Sequence, residues 1–403
     1  MKRSPLIFLA TLLLLPLESY AGGPIYSRYG IGDLRLFGSS RSYAMGGTSI
    51  GLTGSGFINR TNPAGNAEIA FTRFSGSFEY QNVTSADPSG DVNFSRGEFQ
   101  AVAVAIPIAR SRGAVLTLSA SPLSSVSYKV QETDAWMGIT SRQTFLGNGG
   151  LSRFSIGSSY GIDSTIIVGL QLNYLFGRIG QTVMIDFDDP LYTDNELRYS
   201  DFYRAVNVTL GAVYSISKST TIGATVGTPA HFSIKNENLI SSDGFLDTVT
   251  TADRSLRWPL SYGVGFSSLL NNRYVLAGDL TVQEWSRADF QAYREVSYRN
   301  SVRAGLGLEI QPVRGASGYW ANTFYRFGAG FHQTYLMMKG EPINEYFVTG
   351  GIGLPIGPDA RLNLGIQAGI RGTTSNALQR DTFVRLGLTF SASEEWFLSF
   401  EEE

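Results

Sequence analysis

The chain has 403 residues, with 32 Lys and Arg against 34 Asp and Glu and a formal net charge of -2; that balance excludes the basic character of a nucleic-acid-binding domain. Charged residues make up only 16%, below the ~25% usual for soluble domains. Glycine stands at 46, aromatics at 12% and cysteine at 0, which excludes disulfides and thiolate metal sites and suits many short strands with a lipid-facing surface.

The first 21 residues read as a secretory signal peptide. Lys2 and Arg3 start it, residues 6–17 form its apolar run, and Ser19 and Ala21 place small residues where a leader peptidase cuts. The run is shorter than the ~20 residues of a helical membrane span. The mature chain is expected to begin at Gly22, and no later run is apolar for long enough to form such a helix. Any span must be made of strands.

Residues 22–70 do not alternate. They are glycine-rich and turn-rich, and close on Asn62-Pro63-Ala64-Gly65, where a short helical turn is expected. The segment is too apolar for a linker, and an ordered segment ahead of a first barrel strand sits most simply in the lumen as a plug. From Phe71 the pattern changes to period two. Residues 165–176 are its clearest case, with Ile166, Val168, Leu170, Leu172, Tyr174 and Phe176 on one face and Gly169, Gln171 and Asn173 on the other. The same reading gives about fourteen strands to residue 390, in the even-numbered range of bacterial barrels. The links alternate in length: 109–112, 162–164 and 216–219 are short, whereas 132–150, 177–198 and 235–254 are long and polar. Short turns at one end and long loops at the other mark an outer-membrane barrel, with the short-turn end periplasmic. The expected fold is therefore an all-β transmembrane antiparallel barrel in the bacterial outer membrane. Residues 391–403 form an acidic C-terminal extension beyond Phe390.

Arg41-Ser42-Tyr43-Ala44-Met45-Gly46-Gly47, then Asn62-Pro63-Ala64-Gly65, then the strand pattern, resemble the FadL/TodX family of outer-membrane transporters. Residues 26–34 and Tyr325-Arg326-Phe327-Gly328 look like the versions found in Bacteroidetes-type bacteria. The resemblance covers the whole mature chain. It implies a 14-stranded barrel closed by an N-terminal hatch, with Arg41, Gly46, Gly47, Asn62, Pro63, Ala64 and Gly65 as the hatch motif. It also implies passive uptake of hydrophobic small molecules such as long-chain fatty acids, with lateral exit beside a kinked third strand. Pro122 falls within that strand, at 113–131, where proline breaks the ladder. Ser121 and Ser124 flank it and are placed to satisfy stray backbone groups. The bland alternative is that Pro122 simply ends a strand.

Arg73, Glu79, Gln171, Asn173, Arg303, Glu309, Arg326, Asn363, Gln367 and Arg385 are expected to face the lumen, chiefly to bind the plug. Trp258, Trp285 and Trp320 read as interfacial girdle residues. Asp186, Asp188 and Asp189 lack a calcium-loop pattern and read as a solvated loop. The two histidines, His231 and His332, are far apart, and no catalytic constellation suggests itself. No enzyme activity, cofactor or metal is expected. The expected partners are a fatty-acid-like molecule, outer-membrane lipid and lipopolysaccharide. The alternative reading is a non-transporting barrel of the same kind, a scaffold subunit of an envelope secretion or assembly complex, with envelope proteins as partners.

Overall fold

The computed structural model describes residues 23–394 apart from 36–37, 89, 137–138, 190, 243–244, 250–253, 291–292, 294, 314 and 316. The leader, at 1–21, and most of the C-terminal extension, at 395–403, lie outside the described residues.

The strands are β1 (Asp33–Leu34), β2 (Thr72–Asp87), β3 (Gly90–Ala109), β4 (Ala114–Pro122), β5 (Ser124–Trp136), β6 (Ile139–Gly161), β7 (Ile166–Phe187), β8 (Asn195–Ser215), β9 (Thr220–Gly227) and β10 (Ala230–Ser242). They continue as β11 (Phe245–Val249), β12 (Arg254–Trp258), β13 (Ser261–Leu270), β14 (Tyr274–Gln283), β15 (Val296–Tyr298), β16 (Ser301–Ile310), β17 (Phe324–Met338), β18 (Glu341–Pro355), β19 (Arg361–Gly372) and β20 (Arg380–Glu394). Sequential antiparallel pairing closes when β20 returns to β2, in register from Thr72 opposite Glu394 to Ala86 opposite Arg380. With β1 set aside as part of the N-terminal segment, four wall passes are broken into pieces, namely β4 with β5, β9 with β10, β11 with β12 and β13, and β15 with β16, so the described residues form a 14-strand antiparallel barrel. No helix among the described residues is long and apolar enough to cross a membrane.

The alternation on β7 sets inside from outside. Leu170 is 53% exposed on the outer face and Gln171 only 4% on the inner one. Phe154, Leu172, Val206, Val264, Leu306 and Val348 continue the exposed apolar surface around the wall. A soluble sandwich would hide these faces between two sheets; here they point outward as a belt. The ten residues expected to face the lumen do so, with Glu309 and Arg326 at 0% and 1% exposure.

Two expectations are corrected. Segments 132–150, 177–198 and 235–254 are not loops but mostly strand, carried by β5 to β8 and β10 to β12 beyond the belt. There the outer face has left the lipid, so no continuous greasy face marks them, while antiparallel pairing still satisfies their backbones. Trp258 and Trp285 are not girdle residues: they pack edge to face inside the barrel, ring centres 5.1 Å apart. Both stand at strand breaks, where the alternation no longer tells which way a side chain points. Trp320 is exposed. The closing strand runs four residues past Phe390, to Glu394.

Placing a guanidinium on the belt midplane tests the inside-out reading. Leu170→Arg should destabilise the folded barrel by ~2–4 kcal/mol, read as a lower urea midpoint for folding into lipid vesicles.

Candidate functional site

The described residues of 24–70 lie against the inner wall, from Ser127 and Gln379 at the long-hairpin end to Gly169 and Gly211 towards the short-turn end. Local chemistry builds this segment piece by piece. Ser39 caps the one-turn helix α1 (Ser40–Tyr43), its Oγ accepting from Ser42 N at 3.2 Å. That turn aims Arg41 at the wall, where its Nε and Nη2 each donate to Glu309 at 2.8 Å. Glu309 also accepts from Arg326 Nε at 2.7 Å, and Arg326 Nη1 donates to Asn363 at 2.8 Å. One buried carboxylate is thus shared by two cations, one from the segment and one from the wall.

Gly46 and Gly47 follow with φ of 69° and 85°, in the left-handed region that favours glycine. Gly46 N donates to Thr349 Oγ1 at 3.0 Å. A Cβ on Gly46 would stand 2.5 Å from the carbonyl oxygens of Leu306 and Ala329, so only glycine lets the turn lie on the wall. The next turn is held by Asp279, whose Oδ2 accepts from Ser49 N at 2.5 Å and Ile50 N at 2.8 Å.

Asn62 caps the 3-10 turn Pro63–Asn66, its Oδ1 accepting from Ala64 N at 3.1 Å. Its Nδ2 donates to Ile50 O at 2.8 Å and to the wall at Ala212 O, 3.1 Å away. Pro63 and Ala64 lie flat on a platform made by Gly169 and Gly211, which are cross-strand partners. Gly65 N closes the turn on Asn62 O at 3.1 Å. The seven motif residues are therefore brought into one segment, but spread along the bore rather than gathered at one point.

At Pro122 the wall ladder opens. β3 pairs with β4 only over residues 102–109, and beyond the break β5 pairs with β6 on one side and β1 on the other. Leu123 N donates to Leu151 O at 2.8 Å, and Ser124 Oγ accepts from Leu151 N at 3.2 Å. Ser121 stays in the ladder opposite Arg153. The side of β5 that β3 leaves is taken by the N-terminal segment. Asp33 and Leu34 pair with Ser125 and Ser124, and Arg35 N donates to Leu123 O at 2.8 Å. Ser27 Oγ accepts from Ser127 N at 3.2 Å and donates to Ser127 O at 2.8 Å. Arg35 also bridges Glu79 and Glu98 at 3.6 and 2.5 Å. Sequence reading misses Ser27 and residues 33–35, because two residues of strand leave no periodicity to find.

At the long-hairpin end the bore is stoppered by an aromatic cluster. Trp285 stacks on Phe290 and lies against Tyr335 at 5.5 and 5.1 Å between ring centres, and Tyr26 and Ile31 of the segment join the same cluster. Tyr335 Oη donates to Gly32 O at 2.7 Å, and Tyr26 Oη donates to Gln379 O. Burial raises the Tyr26 hydroxyl above the ordinary tyrosine range. Below the cluster lie two polar cavities. One, of ≈80 Å³, is lined by Arg35, Glu79, His332, Glu345, Arg371 and Arg385 among others; the second, of ≈190 Å³, lies beside the break. Among the described residues no cluster of His, Cys, Asp or Glu has metal-site geometry. Asp189 and Asp194 instead close their own turn, accepting from Leu191 N at 3.0 Å and Phe187 N at 2.9 Å.

The family model of BamG matches residues 2–400. The chain belongs to the BamG family. No curated protein matches the BamG-family chain in sequence. Among solved structures it is similar to the Ralstonia pickettii toluene transporter TbuX, at 15% identity and a TM-score of 0.60, over 88% of this chain and 98% of that one. It is also similar to a Pseudomonas aeruginosa FadL homologue, at 14% and 0.61 over 91% and 100%, and to the Pseudomonas putida toluene transporter TodX, at 16% and 0.61 over the same shares. At these identities the likeness is one of fold: the barrel is that of Gram-negative outer-membrane transporters of hydrophobic compounds.

Two substitutions weigh the fastening of the segment. Glu309→Gln leaves Arg41 and Arg326 against an amide in a buried site, and should cost about 3–5 kcal/mol. Asn62→Ala removes a cap and a wall contact together, and should cost about 1–2 kcal/mol. Thermal unfolding of the detergent-folded barrel measures both, and Glu309→Gln should be the more severe.

Proposed function

We propose that this chain, exported by its leader to the outer membrane, is a plugged barrel that serves as a scaffold subunit of an envelope assembly or secretion complex. One observation carries this reading: the described residues of the plug are fastened to the wall at several separate points. Arg41 on Glu309, Asp279 on the turn at Ser49 and Ile50, and Arg371 on Asp33 at 2.8 Å tie it to several strands at once. Apolar side chains of the segment and the wall are packed against one another at the mouth of the bore, and the two cavities below them are lined with charge. A route for an apolar solute needs a continuous apolar lining, and these cavities do not supply it. The hairpins that stand beyond the belt are the surfaces offered to envelope proteins.

A second reading is passive uptake of hydrophobic small molecules such as long-chain fatty acids, with hatch rearrangement and lateral exit at Ser121, Pro122 and Ser124. The break in the ladder at Pro122 favours it, as does a fold shared with hydrocarbon channels. It stands second because Pro122 is opposite Ser152, itself opposite Phe176, the last apolar residue of the outward row on β7. An exit there opens at the rim of the belt rather than into its middle.

The two readings part experimentally. Purification of the tagged chain in mild detergent should yield other envelope proteins in fixed stoichiometry, while deletion leaves uptake of labelled toluene and oleate unchanged. A solitary barrel that carries a lipid-like ligand, with uptake lost on deletion and in Pro122→Ala, would reverse the order.

A further inference from the structure

At the upper rim of the belt the outer face carries a cluster of cations. Arg178 of β7, Arg204 of β8 and Lys235 of β10, on three neighbouring strands, point outward and are exposed. The register places them together. Phe202 is the cross-strand partner of Arg178 on one side and of Lys235 on the other, and Arg204 stands one row below, between Phe176 and Ser233. Arg178 and Lys235 are thus diagonal neighbours of Arg204, about 7–8 Å away along the sheet, and side chains of this length can meet on one group. Arg178 is already steered: its Nη2 donates to Ser200 Oγ at 2.8 Å, and its guanidinium lies 5.8 Å from the centre of the Phe202 ring. The side chains of Arg204 and Lys235 make no ion pair or hydrogen bond among the described residues. Glu237, two residues beyond Lys235 on the same exposed face, is not in ion-pair range of either.

Depth decides what this cluster meets. Arg204 shares its row with Phe176, the last apolar residue of the outward row on β7, and the row beneath is Phe154, Tyr174 and Val206, all exposed. The cations therefore stand where acyl chains give way to head groups. With the short turns periplasmic, that is the outer leaflet. We infer that Arg178, Arg204 and Lys235 bind the phosphate of an outer-leaflet glycolipid, whose acyl chains lie on the apolar strip of Tyr174 and Val206 below. A guanidinium fork matches phosphate oxygens, an ammonium adds a point charge, and basic residues at a membrane surface draw anionic lipid. Patch and strip are continuous, so one amphiphile covers both. The site stands apart from the choice between scaffold and channel, because it lies on the lipid side of the wall and its test reads lipid binding.

The test uses the full barrel purified in a non-ionic detergent, with bound lipid followed by native mass spectrometry. Monophosphoryl lipid A is titrated in, and its phosphate-free form in parallel. The wild type should bind lipid A saturably and the phosphate-free form at least about tenfold more weakly. Arg204→Gln combined with Lys235→Gln should weaken lipid A binding about 25-fold, about fivefold for each cation removed. Both side chains are exposed, so the thermal midpoint in lipid-free detergent should not fall. Arg273→Gln, at an exposed cation of the short turn between β13 and β14, should leave binding unchanged. Inorganic phosphate, at an ionic strength matched with sodium chloride, should not displace the lipid. Equal binding of the two lipids, a double variant that binds as the wild type does or melts lower without lipid, an equal loss in Arg273→Gln, or displacement by inorganic phosphate would each overturn the site.

Discussion

Backbone hydrogen bonding in a medium without water is the constraint behind the whole molecule. Lipid offers no donor or acceptor, so a strand crossing it must be paired on both sides and the sheet must close. The register of β2 with β20 achieves this over residues 72–86 and 380–394. At Pro122 the ladder opens, and the N-terminal segment repairs that break from inside. It lends two residues of strand, one further backbone N–H at Arg35, and the hydroxyl of Ser27, which takes the place of a missing neighbour for Ser127. Plug and wall are thus one hydrogen-bonded structure, and the plug is part of what makes the wall tolerable.

The same division explains where the charges went. The belt is apolar outside because acyl chains meet it, so the side chains of the inner face are free to be polar. They are spent in pairs and triads, such as Arg41 with Glu309 and Arg326, or Arg371 with Asp33 and Asp381. A buried carboxylate shared by two guanidiniums contributes little net stability over an apolar core, but breaking it is expensive. Such contacts specify where the segment sits. They favour a plug with a single position over one that slides.

What could be read from the sequence follows from which residues have only one acceptable neighbour. On β7 the alternation from 166 to 176 is plain because one face must meet lipid; from 177 to 187 it fades because the outer face has left the lipid, although the strand continues and Ile179 still packs into the buried cluster. The inward set from Arg73 to Arg385 is legible for the same reason, since a charge on the outer face would sit in hydrocarbon. Gly46, Gly47 and the Asn62–Gly65 turn announce themselves through residue types with narrow backbone uses. The partners of those residues do not. That Arg41 meets Glu309, 268 positions away, depends on how the barrel closes, and nothing local to either residue encodes it. Trp258 and Trp285 show the converse error, for an aromatic at a strand end suits either an interface or a stopper until the break beside it is seen.

The route of the chain also bears on the order of assembly. The segment enters the bore ahead of β2, and β2 is the strand on which β20 closes. The first and last strands of the wall therefore meet beside the segment. Arg41 and Asn62, which seat on β16 and β8, thus belong to the stretch of chain made before any strand of the wall.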